Sequence, residues 1–164
     1  MPQQDPTIIT SLFIQAVRQG QSLWFRVASN SMFPLLRLGD EVYIQPVSAH
    51  EVRCGEIAAF ETSHGLVIHR IVTIQQTAAS IRLLQMSDVE LLPSWVKEQE
   101  VVGKVSIIRR NGRTLDLQHP IAQWWGEVTA SIRYRLYLYH KNRPLRTVLG
   151  GSSRLAILLS YHCI

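Results

Sequence analysis

The sequence predicts a mainly β protein: a mostly antiparallel β domain over residues 21–117, a short N-terminal helix in 1–20 and a C-terminal helical appendage in 118–164. Three observations carry this. Between residues 22 and 109, runs rich in Val, Ile, Leu and aromatics alternate with Gly-centred turn signals. On either side of that region the apolar residues recur at a period near 3.6 instead. The dipeptide Asn111-Gly112, between two such runs, is a strong hairpin signal.

Taken in order, Ile8, Ile9, Leu12, Phe13, Ala16 and Val17 mark the first helix, with Asp5 as its cap, Pro6 as its first residue and Gly20 as its stop. Strands are expected at 22–28, 41–47, 56–62, 65–75, 79–86 and 101–109. Leu38-Gly39-Asp40, Cys54-Gly55 and His64-Gly65 supply turns between them. Asn111-Gly112 joins Val105-Ser106-Ile107-Ile108 to Thr114-Leu115-Asp116-Leu117. From His119-Pro120 the helical period returns, with Ile121, Trp124, Trp125, Val128, Ile132, Leu136 and Tyr139 on one stripe. Asn142-Arg143-Pro144 ends that helix, and Gly150-Gly151 precedes a last short apolar helix.

Composition narrows the function classes. A hydrophobic fraction of 46% and a mean hydropathy of +0.05 fit a globular chain and argue against disorder. Cys54 and Cys163 lie far apart, with no CxxC or metal-ligand spacing. The six histidines show no ligand spacing with acids or cysteines, so neither a metal nor any other cofactor is expected. The net charge of +5 hides an asymmetry: residues 1–100 balance to −3 and residues 101–164 to +8. The basic end suits an anionic surface, although a basic stretch without a recognisable helix-turn-helix makes nucleic acid an unexpected partner. No segment reads as membrane-spanning and the N-terminus does not read as a secretory signal, so the expected location is the cytoplasm, with peripheral membrane contact as its variant.

Two short runs speak about chemistry. Ser29-Asn30-Ser31-Met32-Phe33-Pro34 frames a hydroxyl just before the Gly39-Asp40 turn, and His69 sits within the apolar run Leu66 to Val72. A serine becomes a nucleophile only when a base takes its proton. Arginine stays protonated, and the chain has only three lysines (Lys97, Lys104, Lys141) against 14 arginines, none of the lysines before residue 97. If Ser31 is a nucleophile, its base is therefore a histidine. Strand alternation places His69 with Val67 and Ile71, where partial desolvation would hold the imidazole neutral. A strand histidine satisfied by a backbone carbonyl fits the same pattern, and Ser-Asn-Ser is also ordinary turn chemistry. Ser29, two positions before Ser31, offers a hydroxyl that could join the Ser31 N–H as an oxyanion-hole donor.

The run from Ser29 to Asp40 resembles the S-x-S-M-x-P…G-D box of signal peptidase I. Gly55-Glu56-Ile57-Ala58-Ala59-Phe60 is similar to the G-D-I-V-V-F strand of that family, Val67 to Val72 to its I-V-H-R-V-V strand, and Val101-Val102-Gly103-Lys104-Val105 to its V-x-G-K-V strand. The resemblance implies a signal-peptidase/LexA-like coiled antiparallel β fold of the histidine-dependent branch. It implies Ser31 as nucleophile, His69 as general base, and Ser29 with Ser31 at the oxyanion hole. Asp88, in Met86-Ser87-Asp88-Val89, matches the aspartate that would orient His69, with Ser87 in place of the usual glycine. In that family a membrane-spanning helix normally precedes the catalytic domain, whereas helix 6–19 is too short and too polar to span.

The expected activity is therefore a serine endopeptidase acting on a peptide or protein precursor, such as a leader peptide with small residues at −1 and −3. The alternatives are a catalytically silent module that binds peptides or docks at a membrane, and a LexA-like self-cleaving protein. For the basic C-terminal helix, two readings stay open: its aromatic stripe lies at a membrane interface, or it packs on the β domain. The second is the expected one.

Overall fold

The computed structural model describes residues 6–63, 65–78 and 80–142. The Asp5 cap, the His64 turn position, the Ala79 start of the fifth strand and the short helix after Gly150-Gly151 fall outside these residues. Within them the chain runs α1 (Pro6–Arg18), β1 (Leu23–Arg26), β2 (Glu41–Gln45), β3 (Ile57–Thr62), β4 (Gly65–Gln76), β5 (Ile81–Met86), β6 (Ser94–Lys97), β7 (Val101–Arg110), β8 (Arg113–Asp116) and α2 (Pro120–Lys141). The eight strands form one antiparallel sheet in the order β1-β2-β7-β3-β4-β5-β6, with β8 paired to β7. This is the mainly β architecture that the alternating runs predict.

The hairpin between β7 and β8 turns at Asn111 and Gly112, both at positive φ (50° and 74°), the pair of left-handed residues that a type I′ turn requires. Register shifts between Tyr43 and Ile44, Ala59 and Phe60, and Ile71 and Thr73 bend the sheet. One strand, β6, was not expected. It has only four residues behind Pro93, too few for alternation to be visible, and it forms because β5 offers it an edge through Arg82↔Lys97 to Gln85↔Ser94.

Three apolar clusters hold the sheet. In the first, Ile14 and Val17 of α1 pack on Val42, Ile44, Ile57, Val105 and Ile108, together with Met32 and Leu36 from the segment joining β1 to β2. A second gathers Phe60, Ile71, Leu83 and Val96, and a third sets Ala130 of α2 on Val72, Leu84 and Met86. At about 25 cal/mol per Å² of apolar area, such burial is the main favourable term for folding.

The structure corrects the expected packing of α2. Its contact face is Gly126 and Ala130, both buried, with Arg133, Tyr134 and Tyr137 half-buried beside them. The Trp/Ile/Leu stripe is not buried on the sheet: Ile121 is 63% exposed, Trp124 55% and Trp125 58%, and Ile121, Trp125, Ile132 and Leu136 border an open apolar groove shared with β7 and β8. Ile132, Leu136 and Tyr139 on the same stripe are exposed too. The reason is backbone proximity. A Cβ on Gly55 would lie 2.5 Å from the Glu127 nitrogen, and one on Gly126 would lie 2.7 Å from the Gly55 carbonyl oxygen. Helix and turn meet glycine to glycine, at a spacing no bulky stripe could enter. Among the described residues no helix is long and apolar enough to cross a membrane.

Candidate active site

Ser31 lies in the segment between β1 and β2, and that segment is closed at its neck. Val27 N–H donates to the Asp40 carbonyl (2.8 Å), Gly39 N–H to the Val27 carbonyl (2.9 Å), and Leu38 N–H to Asn30 Oδ1 (2.9 Å). Met32 and Leu36 plug the loop into the first core at 2% and 1% exposure, so the residue after Ser31 acts as a hydrophobic anchor. Asp40 is the polar anchor. Arg110 donates to both of its oxygens (2.8 and 2.5 Å), the Arg37 N–H donates a third bond (2.8 Å), and Arg110 also reaches the Leu35 carbonyl (2.8 Å). The Arg110 hydrogen bonds hold the Asp40 carboxyl below its ordinary range, against the opposing cost of burial. The Gly-Asp of the motif therefore has a structural role in this chain.

The far side of the loop is fixed through the Ser31 carbonyl. Three groups converge on it: Asp88 N–H (2.9 Å), Val89 N–H (3.2 Å) and Ser87 Oγ–H (2.6 Å). Ser87 occupies the expected glycine position and uses its hydroxyl for this contact, while accepting from the Val89 and Glu90 N–H groups. Ser31 and Ser87–Val89 lie more than fifty residues apart in sequence, so this junction is tertiary. It also ties the serine loop to the segment that follows β5. The last pair of the β4–β5 ladder is Arg70↔Met86, so His69 and Ser87 are the next residues beyond it on the two strands.

The β4 strand separates His69 from Arg70 by alternation. Arg70 is buried at 4% exposure and grips Asp88 through Nε–Oδ1 (2.9 Å) and Nη2–Oδ2 (2.6 Å), with Nη1 donating to the Gly55 carbonyl (2.8 Å). From α2, Arg133 donates to the carbonyls of Asp88 (2.8 Å) and Glu90 (2.6 Å). Both Asp88 oxygens thus belong to Arg70, and the expectation that Asp88 orients His69 is corrected: His69 Nδ1 is hydrogen-bonded to Gln85 Oε1. Gln85 Nε2 in turn donates to Ser94 Oγ. The expectation fails because the residue after His69 is an arginine within reach of the same carboxylate, and a bidentate charged pair outcompetes a neutral imidazole. Gln85 and Ser94 were not singled out in the sequence. The period-2 spacing from Leu83 to Gln85 puts a polar side chain on the His69 side of β5, which is the only signal for it.

Ser29 Oγ–H donates to Ser31 Oγ (3.2 Å), and the Ser31 N–H points at Ser29 Oγ at 3.5 Å. The two expected oxyanion donors therefore meet each other. Among the described residues no hydrogen bond joins Ser31 to His69, and His69 Nε2 has no partner. An apolar cavity of about 850 Å³ between α2 and β7–β8 is bounded by Arg70 and Asp88, and neither Ser31 nor His69 lines it. No group of three or more potential metal ligands occurs among the described residues.

The sequence matches no family model and no curated protein.

Burial of the imidazole lowers the His69 pKa from its ordinary 6.5, more than the Gln85 bond and the nearby Asp88 and Glu90 charges raise it. The folded chain then binds this proton less tightly than the unfolded chain. The contribution to stability is present above 6.5 and is lost as the pH falls from there through the folded-state pKa. An NMR titration of the His69 imidazole is expected to give a midpoint below 6.5; a midpoint above that value contradicts the burial argument.

Proposed function

We propose that this chain is a serine endopeptidase resembling signal peptidase I, with Ser31 as nucleophile and His69 as general base. The observation that supports the reading is the set of three hydrogen bonds from Ser87, Asp88 and Val89 to the Ser31 carbonyl, which tie the motif serine to the segment after β5, the strand paired with the β4 strand that carries the partly desolvated His69. His69 Nε2, the unbonded ring nitrogen, takes the Ser31 hydroxyl proton as Oγ attacks the scissile carbonyl carbon. The Ser29 hydroxyl rotates off Ser31 Oγ and, with the Ser31 N–H, donates to the developing oxyanion. Collapse of the tetrahedral intermediate breaks the C–N bond, and the imidazolium returns its proton to the leaving amine. Water then attacks the acyl-Ser31 ester by the same base, releasing the acid and regenerating the hydroxyl. By the same resemblance the substrate is an extended precursor peptide with small residues at −1 and −3. β1 leads directly into the Ser29–Ser31 loop and is the terminal strand of the sheet, the setting in which an extended peptide can add a strand.

A fluorophosphonate probe followed by peptide mass spectrometry tests this. The expected result is one adduct on Ser31, absent in Ser31→Ala and formed at least about a hundredfold more slowly in His69→Ala, the range for loss of a general base. A folded wild-type protein that takes no adduct, or equal labelling in His69→Ala, overturns the proposal.

The open stripe on α2 favours a second role beside the first, docking on an anionic lipid surface. Trp124 and Trp125 form an aromatic pair (centroids 5.0 Å apart) at headgroup scale, Arg135 and Lys141 lie on the same helix, and residues 101–164 balance to +8. Co-sedimentation is expected with phosphatidylserine-rich vesicles, weakly or not at all with phosphatidylcholine vesicles, and to be lost in the Trp124→Ser/Trp125→Ser double variant. No co-sedimentation, with a dimer in sedimentation velocity, assigns the stripe to a second copy of the chain instead.

A further inference from the structure

Resting on the Ser31–His69 reading, we propose that Gln85 is the positioning residue of the general base, holding the imidazole through a neutral amide where a carboxylate would be expected. The geometry lies on three neighbouring strands. β5 pairs with β6 through Gln85↔Ser94, and the β4–β5 register sets Gln85 opposite Ile71, two residues along from His69 and on its side of the pleat. Side chains of β4, β5 and β6 thus make a continuous row: His69 Nδ1 to Gln85 Oε1, and Gln85 Nε2 to Ser94 Oγ. Strands hold such a row more firmly than loops do.

The consequence is tautomeric. A neutral imidazole has one donor nitrogen and one acceptor nitrogen. An amide oxygen only accepts, so Nδ1 must carry the proton, and the lone pair is left on Nε2, the nitrogen that can act as base. With its own NH₂ placed on Ser94, the amide turns its carbonyl end to His69. If the amide turned over, its NH₂ would face Nδ1, move the ring proton to Nε2 and remove the base. Asp88 cannot supply the orienting contact, because Arg70 occupies both of its oxygens. A neutral partner fixes ring angle and tautomer without favouring the imidazolium as strongly as a carboxylate would. The acid limb of activity then lies lower in pH than in a carboxylate-supported serine–histidine site.

The test combines ¹⁵N NMR of the His69 ring with the pH profile of fluorophosphonate reaction at Ser31. Wild type is expected to show the Nδ1–H tautomer. Gln85→Leu should lose that tautomer preference and react about tenfold to a hundredfold more slowly, the scale of a misplaced catalytic group, with its unfolding midpoint little changed. Gln85→Glu should keep the tautomer, raise the His69 pKa and move the acid limb upward with it. Ser94→Ala, which leaves the amide free to turn over, should fall between wild type and Gln85→Leu; it serves as the test if Gln85→Leu does not fold. An unaltered tautomer in Gln85→Leu, or an unaltered His69 pKa in Gln85→Glu, overturns the inference while leaving the peptidase reading intact. If the ring responds as expected but Ser31 never reacts with the probe in wild type, the peptidase reading falls and the claim of a catalytic purpose for Gln85 falls with it.

Discussion

The buried pair of Arg70 and Asp88 is the constraint on which the site depends. Each charge taken out of water costs several kcal/mol, and only close, fully hydrogen-bonded pairing offsets that. Here the pairing is bidentate, a third Arg70 bond reaches the Gly55 carbonyl, and Arg133 of α2 satisfies the Asp88 and Glu90 carbonyls. Removing one partner of such a pair typically costs about 3–5 kcal/mol, because the other charge stays buried. Asp88 is thereby held in one place, and with it the backbone N–H groups at 88 and 89 that grip the Ser31 carbonyl. One ion pair connects β4, the segment after β5, the turn at Gly55, helix α2 and the serine loop.

This arrangement divides two duties, pairing with Arg70 and orienting His69, between Asp88 and Gln85. Asp88 serves the scaffold, where its charge is useful because it meets another charge away from solvent. Orientation of His69 passes to Gln85, an uncharged side chain on a strand. The face of β4 that carries Arg70 is structural, and the face that carries His69 is available for chemistry. Alternation along one strand suffices to keep the two networks apart.

Much of this was legible in the sequence, and the rest was hidden for identifiable reasons. The long strands, the Asn111-Gly112 hairpin and the helix from Pro120 follow from period and turn chemistry, which act over a few residues. The loop bearing Ser31 was visible as a motif, but not the reason for its Met32, which anchors the loop in the core formed by β2, β3 and β7. Asp88 was recognisable as an acid and misjudged in role, because its partner is set by which side chains β4 and β5 bring together. Gln85 escaped notice because a lone glutamine in a strand carries no signature until His69 and Ser94 are placed on either side of it. The stripe on α2 misled in the opposite sense: apolar periodicity reveals a face, and glycines at 55 and 126 decide which face can approach the sheet.

Amide hydrogen exchange at Asp88 and Val89, in the native protein and in Arg70→Leu, tests the central claim most directly. Both amides should be protected in the native protein to the level of the β5 amides. In the variant they should exchange at least about tenfold faster, the change that 1.4 kcal/mol of lost local stability produces, while the β1–β2 amides keep their protection. Rapid exchange of the two amides in the native protein, or protection unaltered by loss of Arg70, would contradict the view that this ion pair holds the serine loop.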